Sequence, residues 1–154
     1  MTASALGTIE RSTLVRAPRS RVWQALTDIK EFSKWFGVEA EGEFTPGARL
    51  RMISTHEGYQ GVEFFVDVLK MEAPEIFSWR WRPGSKQPGE DTSGEPATVV
   101  EFRLTEVEGG TLVTVVESGF DGLSLARRTR VFEENTRGWE FQLASLNRYA
   151  GQRD

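Results

Sequence analysis

Val113, Val115 and Glu117 share one phase of a strand, so a carboxylate points the same way as two valines. A carboxylate carried into an apolar interior costs several kcal/mol unless it is paired, hydrogen-bonded or protonated, and burial raises its pKa. Glu117 is therefore a candidate to anchor a hydroxyl or amine of a bound molecule, or to move a proton. The plainer alternative puts it near the strand end beside Ser118 and Gly119, half solvated or bonded to helix backbone. His56, the one histidine, stands beside Glu57 and near Tyr59 in a glycine-flanked turn. There it could transfer protons at a pocket mouth, although a surface imidazole is the commoner arrangement. One histidine and no cysteine do not make a zinc site, so no metal is expected. Gly58-Tyr59-Gln60-Gly61 lacks the spacing and the following helix that phosphate cradling needs, and neither a nucleophile elbow nor a dinucleotide fingerprint occurs. Serine-hydrolase and nucleotide chemistry drop out, and no cofactor is called for.

The elements that must position these groups follow from periodicity. Thr8 to Val15 alternate as a first strand. Pro18 then opens a short helix to Thr27 that presents Val22, Ala25 and Leu26, and a second covers Glu31 to Phe36 before Gly37. Strand character follows at Val38 to Phe44, Ala48 to Thr55, Val62 to Met71, Ile76 to Arg82, Thr98 to Glu106 and Leu112 to Ser118, separated by turn residues. Short turns with no intervening helix predict one antiparallel meander. Pro83 to Pro96 is polar, rich in Gly, Pro and Ser, and reads as a flexible loop able to act as a lid. A long helix closes the chain from Leu125 to Ala150, with Leu125, Thr129, Phe132, Thr136, Trp139, Leu143, Leu146 and Ala150 on its buried face. Gly138 inside it suggests close approach to the sheet or room for a guest, and Asn135 is expected to bond the backbone of the loop holding Ser118 and Asp121.

The inward strand phase combines Leu50, Met52, Phe64, Val66, Phe77, Trp79, Trp81, Val100, Phe102, Leu104, Val113 and Val115. Phe132, Trp139, Leu143 and Leu146 oppose them from the long helix, and Phe32, Trp35 and Phe36 close one end. So aromatic a set packs imperfectly on a concave sheet and favours a cavity of about 300 to 1,000 Å³. The candidate ligand-binding residues are Phe36, Met52, Phe64, Val66, Trp79, Trp81, Phe102, Val115, Glu117, Phe132, Trp139 and Leu143; a filled core is the alternative.

Composition narrows the partners. The 154 residues suit one domain over 1–154, and the net charge of −4 with no basic stripe excludes nucleic acid. Arg127, Arg128 and Arg130 are countered by Glu133 and Glu134 and read as a solvated helix face. Met1 to Thr8 carry no signal-peptide pattern, no apolar run approaches a membrane span, and cysteine is absent, which together suggest a cytoplasmic protein.

Strand, two short helices, a run of strands and a long C-terminal helix together resemble the START-like (SRPBCC, helix-grip) superfamily, which includes the birch-pollen-allergen fold. Val22-Trp23-Gln24-Ala25-Leu26-Thr27-Asp28, then Trp79-Arg80-Trp81, Glu117-Ser118-Gly119-Phe120-Asp121 and Gly138-Trp139 resemble its bacterial Aha-type branch, from about residue 8 to residue 150. The resemblance implies an α+β fold in which a curved antiparallel sheet wraps the C-terminal helix. Many bacterial relatives end the fifth strand in aromatic-His-Pro; this chain has Trp81-Arg82-Pro83, so no role of that imidazole carries over.

The expectation is a protein that carries, senses or sequesters a small hydrophobic or aromatic molecule between sheet and helix, without catalysis. Its rivals are a polyketide cyclase or aromatase using Glu117 or His56, and a co-chaperone-like module that docks a protein partner or a second copy of the chain.

Overall fold

The computed structural model describes residues 7–83 and 96–151. In chain order they form β1 (Thr8–Val15), α1 (Arg19–Thr27), α2 (Ile29–Phe36), β2 (Val38–Ala40), β3 (Arg49–Ser54), β4 (Glu63–Glu72), β5 (Ile76–Trp81), β6 (Thr98–Val107), β7 (Gly110–Ser118), a single 3₁₀ turn (Phe120–Gly122) and α3 (Leu125–Ala150). The proposed lid falls on residues 84–95, outside the described residues.

Local chemistry explains the helix ends. Pro18 is the extended N-cap of α1 rather than a residue inside it. Asp28 ends α1 and caps α2, its Oδ1 accepting from the backbone N–H of Lys30 at 3.0 Å and of Glu31 at 3.1 Å. That cap starts α2 at Ile29, two residues before the expected Glu31. Gly37 stops α2 at φ 81°, and an added Cβ there would collide with the His56 imidazole, so both conformation and space demand glycine.

The seven strands make one antiparallel sheet in the order β1-β7-β6-β5-β4-β3-β2. β2 to β7 form the expected meander, while β1 crosses to pair with β7, Thr8 opposite Ser118 and Val15 opposite Thr111. β2 is shorter than the expected Val38 to Phe44. The chain leaves the sheet through Gly42 at φ 98° and turns Phe44 into the core against Phe32 and Phe77. Val66 and Val68 face inward on β4 by simple alternation, and a bulge at Leu69, between Val68 and Lys70, resets the phase so that Met71 stands opposite the buried Phe77. The inward phase read from the sequence is buried throughout, except that Phe64 and Trp81 are half-buried at the margin.

α3 departs from its expected face at its first turns. Stepping back by fours from Trp139 gives Asn135, Val131 and Arg127, and these face the protein; Leu125 is 81% exposed and Thr129 is exposed. Arg127, expected at the surface, is buried and donates from Nη2 to Pro83 O at 3.2 Å. Gly138 is exposed, with nothing near the place a Cβ would take, so it serves neither close packing nor a guest. Among the described residues no helix is long and apolar enough to cross a membrane.

Candidate functional site

Glu117 is fully buried, not half solvated. The reason is its strand: β7 is paired on both sides, with Ile9 of β1 and Val100 of β6 opposite Glu117, so the residue is not at a frayed end. Four neutral side chains close around its carboxylate. Trp81 Nε1 from β5 donates to Oε2 at 2.8 Å, and Thr98 Oγ1 from β6 donates to the same oxygen at 2.5 Å. From α3, Trp139 Nε1 donates to Oε1 at 2.7 Å, and Asn135 Nδ2 reaches Oε1 and Oε2 at 3.0 and 3.2 Å. Asn135 thus serves the carboxylate and not the Ser118 to Asp121 loop backbone. It meets Glu117 together with Trp139 because residues four apart share a helix face.

Burial pushes the Glu117 pKa up, and the hydrogen bonds from Thr98, Trp81, Trp139 and Asn135 pull against that shift without reversing it. A carboxylate has about four lone-pair directions, and these donors occupy them. Among the described residues no lysine or arginine pairs with it. When Glu117 takes up a proton, the Thr98 hydroxyl can turn to accept it, whereas the indole N–H groups of Trp81 and Trp139 only donate.

Around the carboxylate lie the expected aromatic residues. Trp81 stacks on Trp139 with centroids 5.8 Å apart and planes 29° from parallel. Trp79 touches Trp81, Trp139, Phe36 and Phe102 with centroids 5.3 to 6.3 Å apart, and Phe64 meets Trp81 edge-on at 5.7 Å. These rings occupy the interior between β5, β6 and α3. Phe64, Trp81 and Phe132 are half-buried, and Phe132 packs on Phe120 rather than on the indoles. Met52, Val66 and Val115 are buried parts of the same core. The Trp79 Nε1–H is buried with no hydrogen-bond acceptor among the described residues.

His56 lies elsewhere. Its Nε2 meets Phe36 O at 2.9 Å, so that nitrogen carries the proton, and its ring packs edge-on against Phe141. The imidazole closes the end of α2 instead of facing the carboxylate. Leu143 is buried beside an open groove of about 460 Å³ between β1 and α3, whose rim carries Arg11, Thr13, Glu140, Asn147 and Arg148. Among the described residues no group of His, Cys, Asp or Glu could hold a metal ion.

Sequence reasoning missed Thr98 and the partner of Asn135. Thr98 left a readable signal, a polar residue in phase with the inward Val100, Phe102 and Leu104. Asn135 left a weaker one, its four-residue spacing from Trp139.

A seven-stranded antiparallel sheet gripping a long C-terminal helix, with two short helices after the first strand, defines a START-like helix-grip protein. Residues 16–151 match the family described as activator of Hsp90 ATPase homolog 1-like protein, and the chain belongs to that family. Among solved structures it is similar to protein MLL2253 of Mesorhizobium loti, at 22% identity and a TM-score of 0.73, over 92% of this chain and 95% of that one. It is also similar to DynU16, a protein of the dynemicin biosynthetic locus, at 25% identity and a TM-score of 0.71, over 93% of this chain but 46% of that one. CalU16 of Micromonospora echinospora is a further likeness, at 25% identity and a TM-score of 0.65, over 92% of this chain and 73% of that one. No curated protein matches the sequence.

Proposed function

We propose that this chain binds a small apolar or aromatic molecule bearing an acceptor oxygen, against the aromatic wall between the sheet and α3, as a cytoplasmic carrier, sensor or sequestering protein. The observation that carries the reading is the buried Trp79 Nε1–H, which has no acceptor among the described residues. Buried indole donors almost always find an acceptor, and leaving one unmet costs about 1–3 kcal/mol. A carbonyl, ether or hydroxyl oxygen on a guest would meet it. Glu117 has no lone pair left for the guest, so its part is to fix the two indoles of Trp81 and Trp139 that form the wall.

Thermal shift against aromatic, fatty-acid-like and polyketide-like compounds, each paired with its hydrocarbon counterpart, tests this. A ligand at 100 times its dissociation constant adds about 2.7 kcal/mol. Oxygenated compounds should stabilise more than their counterparts, and Trp79→Phe, which keeps a ring and removes the donor, should erase the difference. If no compound stabilises the folded protein, the reading fails.

A cyclase-like reaction in the same place is the second reading. What supports it is the buried carboxyl, whose raised pKa suits it to hold a proton, and the likeness to DynU16, a protein of a biosynthetic locus. Turnover of a bound polyketide-like chain, abolished by Glu117→Gln, would decide for it.

A further inference from the structure

Glu117 makes its surroundings unlike an ordinary apolar core. Its four partners are neutral, so the ionised carboxylate is electrically uncompensated among the described residues. The buried cation on the same stretch of α3, Arg127, lies about two turns before Asn135 and donates to Pro83 O instead. In a low-dielectric interior an unpaired charge attracts an opposite one strongly over several ångströms. Something has to neutralise this one, either a proton or a cation from outside.

The rings between the carboxylate and the margin suit a cation. Trp81 and Trp139 each give their indole N–H to Glu117, at 2.8 and 2.7 Å. A hydrogen bond from an indole N–H to an anion shifts electron density into the ring and makes its faces more negative. Indole faces are already the best cation–π surfaces among side chains, and grouped aromatic rings are the usual way to hold an ammonium group without an ion pair. Trp81, half-buried, brings this pair to the margin, where Phe64 stands against it. Carboxylate and indoles thus act in one direction, toward positive charge on an apolar body, without the cation displacing any donor from Glu117.

We infer, resting on the ligand-binding reading above, that the preferred guest is an organic cation: a protonated or quaternary amine on an apolar or aromatic body, held against the indoles of Trp81 and Trp139 with Glu117 as buried counter-charge. Fatty acids and other anionic amphiphiles are disfavoured by the same charge.

The test uses matched probes on the intact chain: 3-(1-naphthyloxy)propylamine, its trimethylammonium analogue, the corresponding propanol and the corresponding carboxylate. All four share the aryl ether oxygen, so the Trp79 donor is served equally and only the terminal charge differs. Isothermal titration at neutral pH should show both cations binding about tenfold tighter than the alcohol, with the carboxylate weakest. Glu117→Gln should bring the cations to within about threefold of the alcohol, whatever it does to the affinity for the alcohol itself. If that variant does not fold, Trp81→Phe, at a half-exposed position, should shrink the same advantage. Alcohol and cations binding equally would overturn the cation inference and leave the ligand-binding reading standing. Binding of none of the four by folded protein would overturn both.

Discussion

At the α2 end of the interior, the polar contacts serve the backbone: Trp35 Nε1 donates to Ala25 O at 2.7 Å, Ser145 Oγ to Trp35 O at 2.6 Å, and Gln142 Nε2 and His56 Nε2 both meet Phe36 O at 2.9 Å. At the other end of the same ring cluster, past Phe36 and where β5, β6 and β7 face α3, four side chains serve another side chain. The first arrangement is what any helix ending in the interior requires, because its last carbonyls have no partner within the helix. The second is not required by the fold. A leucine at 117 would continue the phase of Val113 and Val115 and remove the cost of burying a charge. Two regions built from the same kinds of ring therefore differ in purpose: one end closes the structure, and the other keeps a charged group that earns no stability by being there.

Substitutions at four positions, with His56→Ala as a control for one of them, can break or sharpen that division. Phe32→Ala removes the ring that meets Trp35, Phe36, Phe44 and Trp79 and should cost about 3–5 kcal/mol in urea unfolding, the largest loss expected. Gly37→Ala should cost about 1–2 kcal/mol from its left-handed backbone and more from the collision with His56. His56→Ala in the same chain should recover the second part alone, and additive losses in that double variant would mean that the imidazole does not press on residue 37.

The third substitution concerns pH. Folding raises the Glu117 pKa above the ordinary glutamate value of 4.5, so between those two values the folded chain binds more protons than the unfolded one. Stability from this group is present below the lower value and is lost as pH rises to the higher, by at most about 1.4 kcal/mol per pH unit. Glu117→Gln abolishes the slope. The stability of the parent relative to the variant should therefore fall as pH rises; a constant difference across the range would mean that the carboxyl is not perturbed and that the two ends are alike. The smallest effect is a gain: Gly138→Ala, at an exposed helix position with empty space beside it, should add about 0.4–1 kcal/mol and raise Tm without touching either end.

Strand phase was legible because period-two alternation is a local property. Val113, Val115 and Glu117 could be placed on one face before anything was known of their neighbours, and so could Trp79 and Trp81. The donors around Glu117 were not legible in the same way, since they come from β5, β6 and α3 and meet only through sheet register. Val100 stands opposite Glu117, and that pairing brings Thr98 within reach. For α3, steps of three and steps of four diverge over several turns. A face chosen through Leu125 and Thr129 therefore missed Arg127 and put Gly138 inside. His56 was misplaced because nothing local shows that its turn folds back over Gly37.

The pairing of β1 with β7 has a consequence for how the chain comes to exist. Residues 8–15 find their partners at 111–118, so during synthesis the first strand has nothing to pair with until nearly the whole sheet has been made. Closing so long a loop places this chain among the slower-folding topologies. The carboxyl waits longer than the strand, because two of its four donors belong to α3, which follows β7 in the chain. The enclosed carboxyl is therefore a property of sheet and helix together, and neither part supplies it alone.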